Sequence, residues 1–390
     1  MDHKLAMRLF PADYAASRAR FRQELQRVKR LWPQADLDSY FVEGAGIPDE
    51  EDGDLSIDWI SAPSTGPNEK LFILTTGEHG IEGFVGAGIL QLFLEEFLER
   101  LNPHDTGLLL VHALNPWGMV HRRRANRHNV DLNRNFIWSP ISTDSGSRSN
   151  KIYDPQTNPE YAQMFSFLNP QRPVDGLAVE KLRFWFGLVR RIITQGPALV
   201  RQVTLLGQYR YSCGIYYGGE TRESETRHMM ALYRAHFARY AQVVHLDMHT
   251  GYGPNDKMTL VNSWLEPRKP TDLSQAFAYP RVVSTDSPNF YRIRGDMIDW
   301  VYHLTREERP LTQFYAAAFE FGTLGASLPA AIRSLQTMIL ENQLYWHGSR
   351  STDVAAYIRR EFENLYFPQS SSWQNRAIQD ARQAFSGILS

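Results

Sequence analysis

LFILTT at 71–76 is a continuous apolar run, and GLLLVHAL at 107–114 and AQVVHLDMH at 241–249 read as two more buried strands. Such runs predict strands covered on both faces, as in a parallel sheet between helical layers. KMTLVNSW at 257–264 and FYAAAFEFG at 314–322 predict two further strands, and LSIDWISA at 55–62 alternates apolar with polar positions as a half-buried strand does. Between the first two runs, 77–83 is a glycine-punctuated loop and 84–98 a strongly apolar helix. That order predicts a right-handed strand–helix–strand crossover. Helical spacing marks 13–30, 179–195, 224–240, 329–346, 352–362 and 373–385, while 202–211 and 213–220 suggest a strand pair.

The segment SPISTDSGSRSN, 139–150, is polar and predicts a surface loop near the site. ENLYFPQS at 363–370 resembles a protease-cleavage scar interrupted by proline; helical patterns continue on both sides, so it reads as native chain. No internal repeat or interdomain linker is visible. The expectation is one domain over 1–390, with a catalytic core at about 55–345 and the N-terminal helix 13–30 and C-terminal helices 352–388 as appendages.

Charge narrows the classes of partner. Among 390 residues, 42 basic and 43 acidic side chains leave a net charge of −1, which argues against nucleic acid and an anionic membrane as partners. The basic run HRRRANRHN, 121–129, lacks aromatic interleaving and leads straight into an apolar motif, so a phosphate patch is the weaker reading. Within it Arg122 and Arg123 read as solvated. One cysteine, Cys213, permits no intrachain disulfide, and the charged N-terminus has no apolar signal core. The longest apolar run is too short to span a membrane, so the expected location is the cytoplasm.

Four short stretches carry the chemistry. GEHGIEG (77–83) offers His79 and Glu82 three residues apart at the mouth of a predicted strand, where open α/β sheets build their sites. LDMHTG (246–251) ends another strand, and period two puts His245, Asp247 and His249 on one face. His249, at the strand end, is the preferred ligand, Asp247 a candidate to orient it, and His245 reads as a core histidine. Two histidines and a carboxylate form a ligand set that holds a catalytic zinc with one position open to water.

NVDLNRNF (129–136) brings Asn133 and Arg134, a planar fork with an extra donor suited to a carboxylate. Arg124 and Arg127, just upstream, are both candidates to stabilise an oxyanion. FEFGT (319–323) embeds Glu320 in an apolar strand, where burial raises a carboxyl toward the range of a general base. The plainer alternative for Glu320 is a buried ion pair.

The order HGIE, NVDLNRNF, LDMH and FEFGT resembles the zinc carboxypeptidase superfamily, including its aspartoacylase and succinylglutamate desuccinylase branch. It is most similar to a bacterial group of carboxypeptidase-like proteins marked by HGIEG, NVDLNRNF and HTG, over about residues 71–325. The resemblance implies an α/β fold of three layers, α/β/α, with a mixed, mainly parallel central sheet. It implies one zinc per chain on His79, Glu82 and His249, Asp131 orienting His79, Asn133 and Arg134 on the substrate carboxylate, and Glu320 as general base. For the oxyanion it favours Arg124, with Arg127 second. The family's substrate-side tyrosine has no motif to place it, and Tyr291, Tyr302 and Tyr315 stand as candidates.

The leading expectation is hydrolysis of an amide next to a free carboxylate in a short peptide. The alternative is deacylation of small N-acyl amino acids, and a third is a non-catalytic binding protein of the same fold. Substrate and oligomeric state are open on sequence alone.

Overall fold

The computed structural model describes residues 6, 8–42, 55–138, 157–287 and 293–390. The expected loop at 139–150 and Tyr291 lie outside the described residues. Eight strands form one sheet: β1 (Asp36–Phe41), β2 (Ser56–Ala62), β3 (Lys70–Thr76), β4 (Thr106–His112), β5 (Gln242–Gly251), β6 (Met258–Asn262), β7 (Val282–Ser284) and β8 (Gln313–Gly322). Their spatial order is β1-β2-β4-β3-β5-β8-β6-β7. The central β4-β3-β5-β8 strands are parallel, and β1, β2 and β6 join antiparallel, so the sheet is mixed and mainly parallel as expected.

Continuous apolar runs are needed because both faces of the sheet are covered. Phe72 and Leu74 of β3, with Leu108 and Leu110 of β4, point into one core with Phe93, Trp373 and Phe385. Leu71, Ile73, Leu109 and Val111, one residue out of step, point into the other with Tyr233, Phe237 and Trp300. The Gly83–Glu96 helix supplies the crossover and is buried almost all round. Burying each such Leu or Phe contributes roughly 1.5–3 kcal/mol.

Differences from the sequence expectations are local. The predicted strand pair at 202–220 is instead a helix, Pro197–Leu205, followed by a loop with the single bridge Gln208–Tyr217. The N-terminal helix breaks into Tyr14–Gln23 and Leu25–Lys29. The helices Tyr161–Leu168, Pro270–Ala276 and Met297–His303 and the polar edge strand β1 carry too weak a pattern to be read. The terminal helices are built into the fold: Phe21, Phe367, Trp373, Ile378 and Phe385 belong to the main core. Among the described residues no helix is long and apolar enough to cross a membrane.

His112 of β4 is buried against the rings of Tyr14 and Phe21, with Nε2 2.7 Å from Ser17 Oγ. Burial pushes its pKa down to about 4. The folded value lies below the unfolded value of about 6.5, so its contribution is complete above that pH and is lost as pH falls toward about 4. A shift of that size corresponds to on the order of 3 kcal/mol. Urea midpoints measured across this window should fall more steeply with acid for the wild type than for His112→Gln. Equal slopes would show that His112 carries no such linkage.

Candidate metal centre

The C-terminal ends of β3, β5 and β8 lie side by side because these strands are parallel, and the cross-strand register pairs His249 with Glu320. Asp247 and His249 share a face of β5 with Ala318 and Glu320 of β8, so the small Ala318 leaves room beside the histidine. His79 and Glu82 enter from the loop after β3, where Gly80–Glu82 form a single tight turn. Gly77 adopts a positive φ of 71°, and a Cβ on Gly80 would lie 2.1 Å from the backbone of Gly118. Hence the loop presses on the 118–124 turn. Gly80 N donates to Arg124 O at 3.2 Å and Ile81 N to Arg123 O at 2.9 Å, which also carries Arg124 to the site.

The three proposed ligand atoms converge. His79 Nδ1 is 3.0 Å from Glu82 Oε1, His249 Nδ1 is 3.3 Å from Glu82 Oε2, and the two Nδ1 atoms are 3.3 Å apart. A tetrahedron with bonds of about 2.0–2.1 Å has edges of roughly 3.3 Å. Each imidazole has its far nitrogen engaged: His79 Nε2 lies 3.0 Å from Asp131 Oδ1, and His249 Nε2 lies 2.5 Å from Asp247 Oδ2. An Nε2–H donating to each carboxylate leaves both Nδ1 lone pairs facing Glu82. Three acceptors facing one another favour a cation, so the donor set fits a divalent metal.

Electrostatics supports the same reading. Burial alone would raise the Glu82 carboxyl, but His79, His249 and Arg124 hold it well below the usual carboxylate range. Burial opposes charge on Asp131 too, yet Arg124, Arg134 and His79 keep it ionised. Burial would lower His249, but Asp247 and Glu82 raise it well above its ordinary value. Carboxylates that draw a proton to this ring draw a metal ion as well. Glu320 accepts from Tyr252 N at 2.9 Å, and burial, then the charge of Glu82, push its carboxyl to about 7.

A cavity of about 150 Å³ opens on these groups and is lined by His79, Glu82, Arg124, Asn133, Arg134, His249 and Glu320. Arg124 donates from Nη1 to Glu82 at 2.9 Å and from Nε to Asp131 at 3.2 Å. Asn133 Oδ1 accepts from Met297 N at 3.0 Å, which aims its amide donors elsewhere. Arg127 is outside the cavity lining, beside His128. Arg123, expected to be solvated, is buried against Glu341 at 2.7 Å and stacked on Tyr345, so that arginine is spent inside the fold. Likewise His245 is a core residue, 2.9 Å from Thr75 Oγ1 and held near pKa 4 by burial.

Several cavity residues escaped the sequence reading. Tyr216, with its ring about 6 Å from both Arg124 and Arg134, came from the segment read as a strand. Tyr366 comes from the apparent cleavage scar, and Thr250 Oγ1 donates to its carbonyl at 2.6 Å. Asp296 caps the Met297–His303 helix, and an aspartate just before MIDW is the signal that marks it. Glu78, 3.4 Å from His249 Nε2, is fully buried, and burial, then the charge of Asp247, push its carboxyl well above the usual range. Of the tyrosines weighed on sequence, Tyr302 bonds Glu266 and Tyr315 bonds Asn262, both outside the lining.

The family described as "Protein of unknown function (DUF2817)" matches residues 10–380. No curated protein matches the chain. Among solved structures it is similar to bovine thrombin-activatable fibrinolysis inhibitor in complex with tick carboxypeptidase inhibitor, at 13% identity, 88% of this chain, 96% of that one and a TM-score of 0.43. It is similar to murein-tripeptide amidase MpaA from Escherichia coli O157 at 16% identity, 78% and 91% coverage and a TM-score of 0.34. A succinylglutamate desuccinylase from Silicibacter sp. TM1040 aligns at 15% identity, 76% and 61% coverage and a TM-score of 0.35.

Carboxylates behind metal-bound histidines typically account for about 10–100-fold of affinity. Zinc titration by equilibrium dialysis should therefore show weakening of that order in Asp131→Asn and in Asp247→Asn. Affinity unchanged in both would separate these carboxylates from the metal.

Proposed function

The chain belongs to the family described as protein of unknown function (DUF2817), and we propose that it is a zinc-dependent hydrolase of amide bonds next to a free carboxylate in short peptides or peptide-like substrates. The observation that carries this reading is the convergence of His79 Nδ1, Glu82 and His249 Nδ1 on the same cavity wall as Glu320 and two arginines. A divalent ion held there supplies acidified water and polarises a carbonyl.

The chain's own residues account for the rest. Glu320, whose carboxyl stands near neutrality, takes a proton from the attacking water and returns it to the leaving amine. Arg124 has its Nε and Nη1 on Asp131 and Glu82, which fixes the guanidinium plane so that its remaining N–H groups stabilise the developing oxyanion. Asn133 and Arg134 grip the substrate carboxylate, with the Tyr216 ring against the guanidinium. A second reading, deacylation of N-acyl amino acids, is favoured by size: about 150 Å³ is small beside ordinary ligand pockets of about 300–1,000 Å³.

Glu320→Gln should retain metal and lose about 10²–10⁴-fold in kcat. Undiminished turnover in that variant would overturn the assignment. Arg134→Ala should raise KM for substrates with a free carboxylate and leave carboxamide-capped analogues unaffected. A panel of short peptides and N-acyl amino acids separates the two readings by which class is released.

A further inference from the structure

The helix Leu177–Gln195 carries an apolar stripe that no other described residue covers. Leu182 is 72% exposed, Phe186 71% and Ile193 78%, with Trp185 and Val189 about half exposed. At 3.6 residues per turn these positions fall on one arc. The opposite arc holds the buried Glu180, Phe184 and Leu188, which seat the helix on Met164 and Ile339. A contiguous patch of this kind marks a surface that meets a partner.

Cations accompany the stripe. The helix carries Lys181, Arg183, Arg190 and Arg191 against a single acid, Glu180, which is buried 2.8 Å from Arg172 and 3.0 Å from Arg183. Among the described residues Arg190 and Arg191 have no carboxylate partner. Together with Arg172 and Arg183 they line a groove of about 370 Å³ against the helix Leu328–His347. Lys181 and Arg190 fall at the two borders of the stripe and have no carboxylate partner among the described residues, whereas Arg191 lies on the far side of the helix. Apolar and aromatic residues on one arc with cations at its border are the pattern of a helix lying in a membrane interface.

We propose that this helix seats the protein on an anionic bilayer surface, its stripe at the acyl boundary and Lys181 and Arg190 on the lipid phosphates. The contact is peripheral, since no described helix is long and apolar enough to cross. A second copy is a poorer occupant, because a self-complementary contact through the stripe would need acids to meet Lys181 and Arg190 and the helix has none free. The groove residues Gln336 and Ile339 share a helix with Ser334, which lines the metal cavity, so the bilayer would lie one helix away from the site.

The test is co-sedimentation of the metal-loaded full chain with phosphatidylcholine vesicles, with and without phosphatidylserine. Binding should be at least about tenfold stronger with phosphatidylserine and weaken with added salt. The exposed-site variant Leu182→Glu/Phe186→Glu should lose binding while keeping its circular dichroism and metal content, and Lys181→Glu/Arg190→Glu should lose the lipid preference. No sedimentation, equal binding to both vesicles, or variants that bind like the wild type would overturn the proposal. So would light scattering that shows a dimer broken by Leu182→Glu/Phe186→Glu, which would make the stripe an interface between copies.

Discussion

Everything at the centre depends on two carboxylate–imidazole contacts, Asp131 with His79 and Asp247 with His249. They engage the outer nitrogens, so the inner ones can only face Glu82. Placing three acceptors within 3.0–3.3 Å of one another is costly in the absence of positive charge. The surroundings supply part of it through Arg124, which touches both Glu82 and Asp131. The divalent ion proposed for this site would supply the remainder. Parallel β3, β5 and β8 are what allow this, because only parallel neighbours bring three strand ends to one edge of the sheet.

How much of this was legible depended on how local each signal was. The buried strands were readable because both faces are covered and apolar residues dominate each run, with the polar residues of β5 clustered toward the site. The residues of HGIE, LDMH and FEFGT could be placed because each ends or follows such a strand. Tyr216, Tyr366 and Asp296 could not, since each reaches the cavity from a distant segment whose own pattern is weak or misleading. The segment at 202–220 alternates like a strand, yet it packs as a helix and a loop held by the bridge to Tyr217. Tyr366 illustrates the same limit: its chain reads as a scar, while its carbonyl is fixed by Thr250, next to a proposed ligand.

Net charge is a coarse guide to a surface. A net charge of −1 suggests an indifferent surface, but it averages over paired and unpaired groups. The basic run at 121–129 is the densest in the sequence, yet Arg122, Arg123 and Arg124 each pair with a carboxylate of the same chain. Lys181 and Arg190, unremarkable in sequence, flank the exposed Leu182, Phe186 and Ile193. Where a charge sits and whether it is paired decide its role.

The central claim is that His79, Glu82 and His249 hold one metal ion. X-ray absorption on the purified, zinc-loaded protein tests it most directly. The expected result is one zinc per chain, with a shell of two imidazole nitrogens and carboxylate oxygen at about 2.0–2.2 Å that is lost in His249→Ala. A shell without imidazole, or no stoichiometric zinc at all, would contradict it.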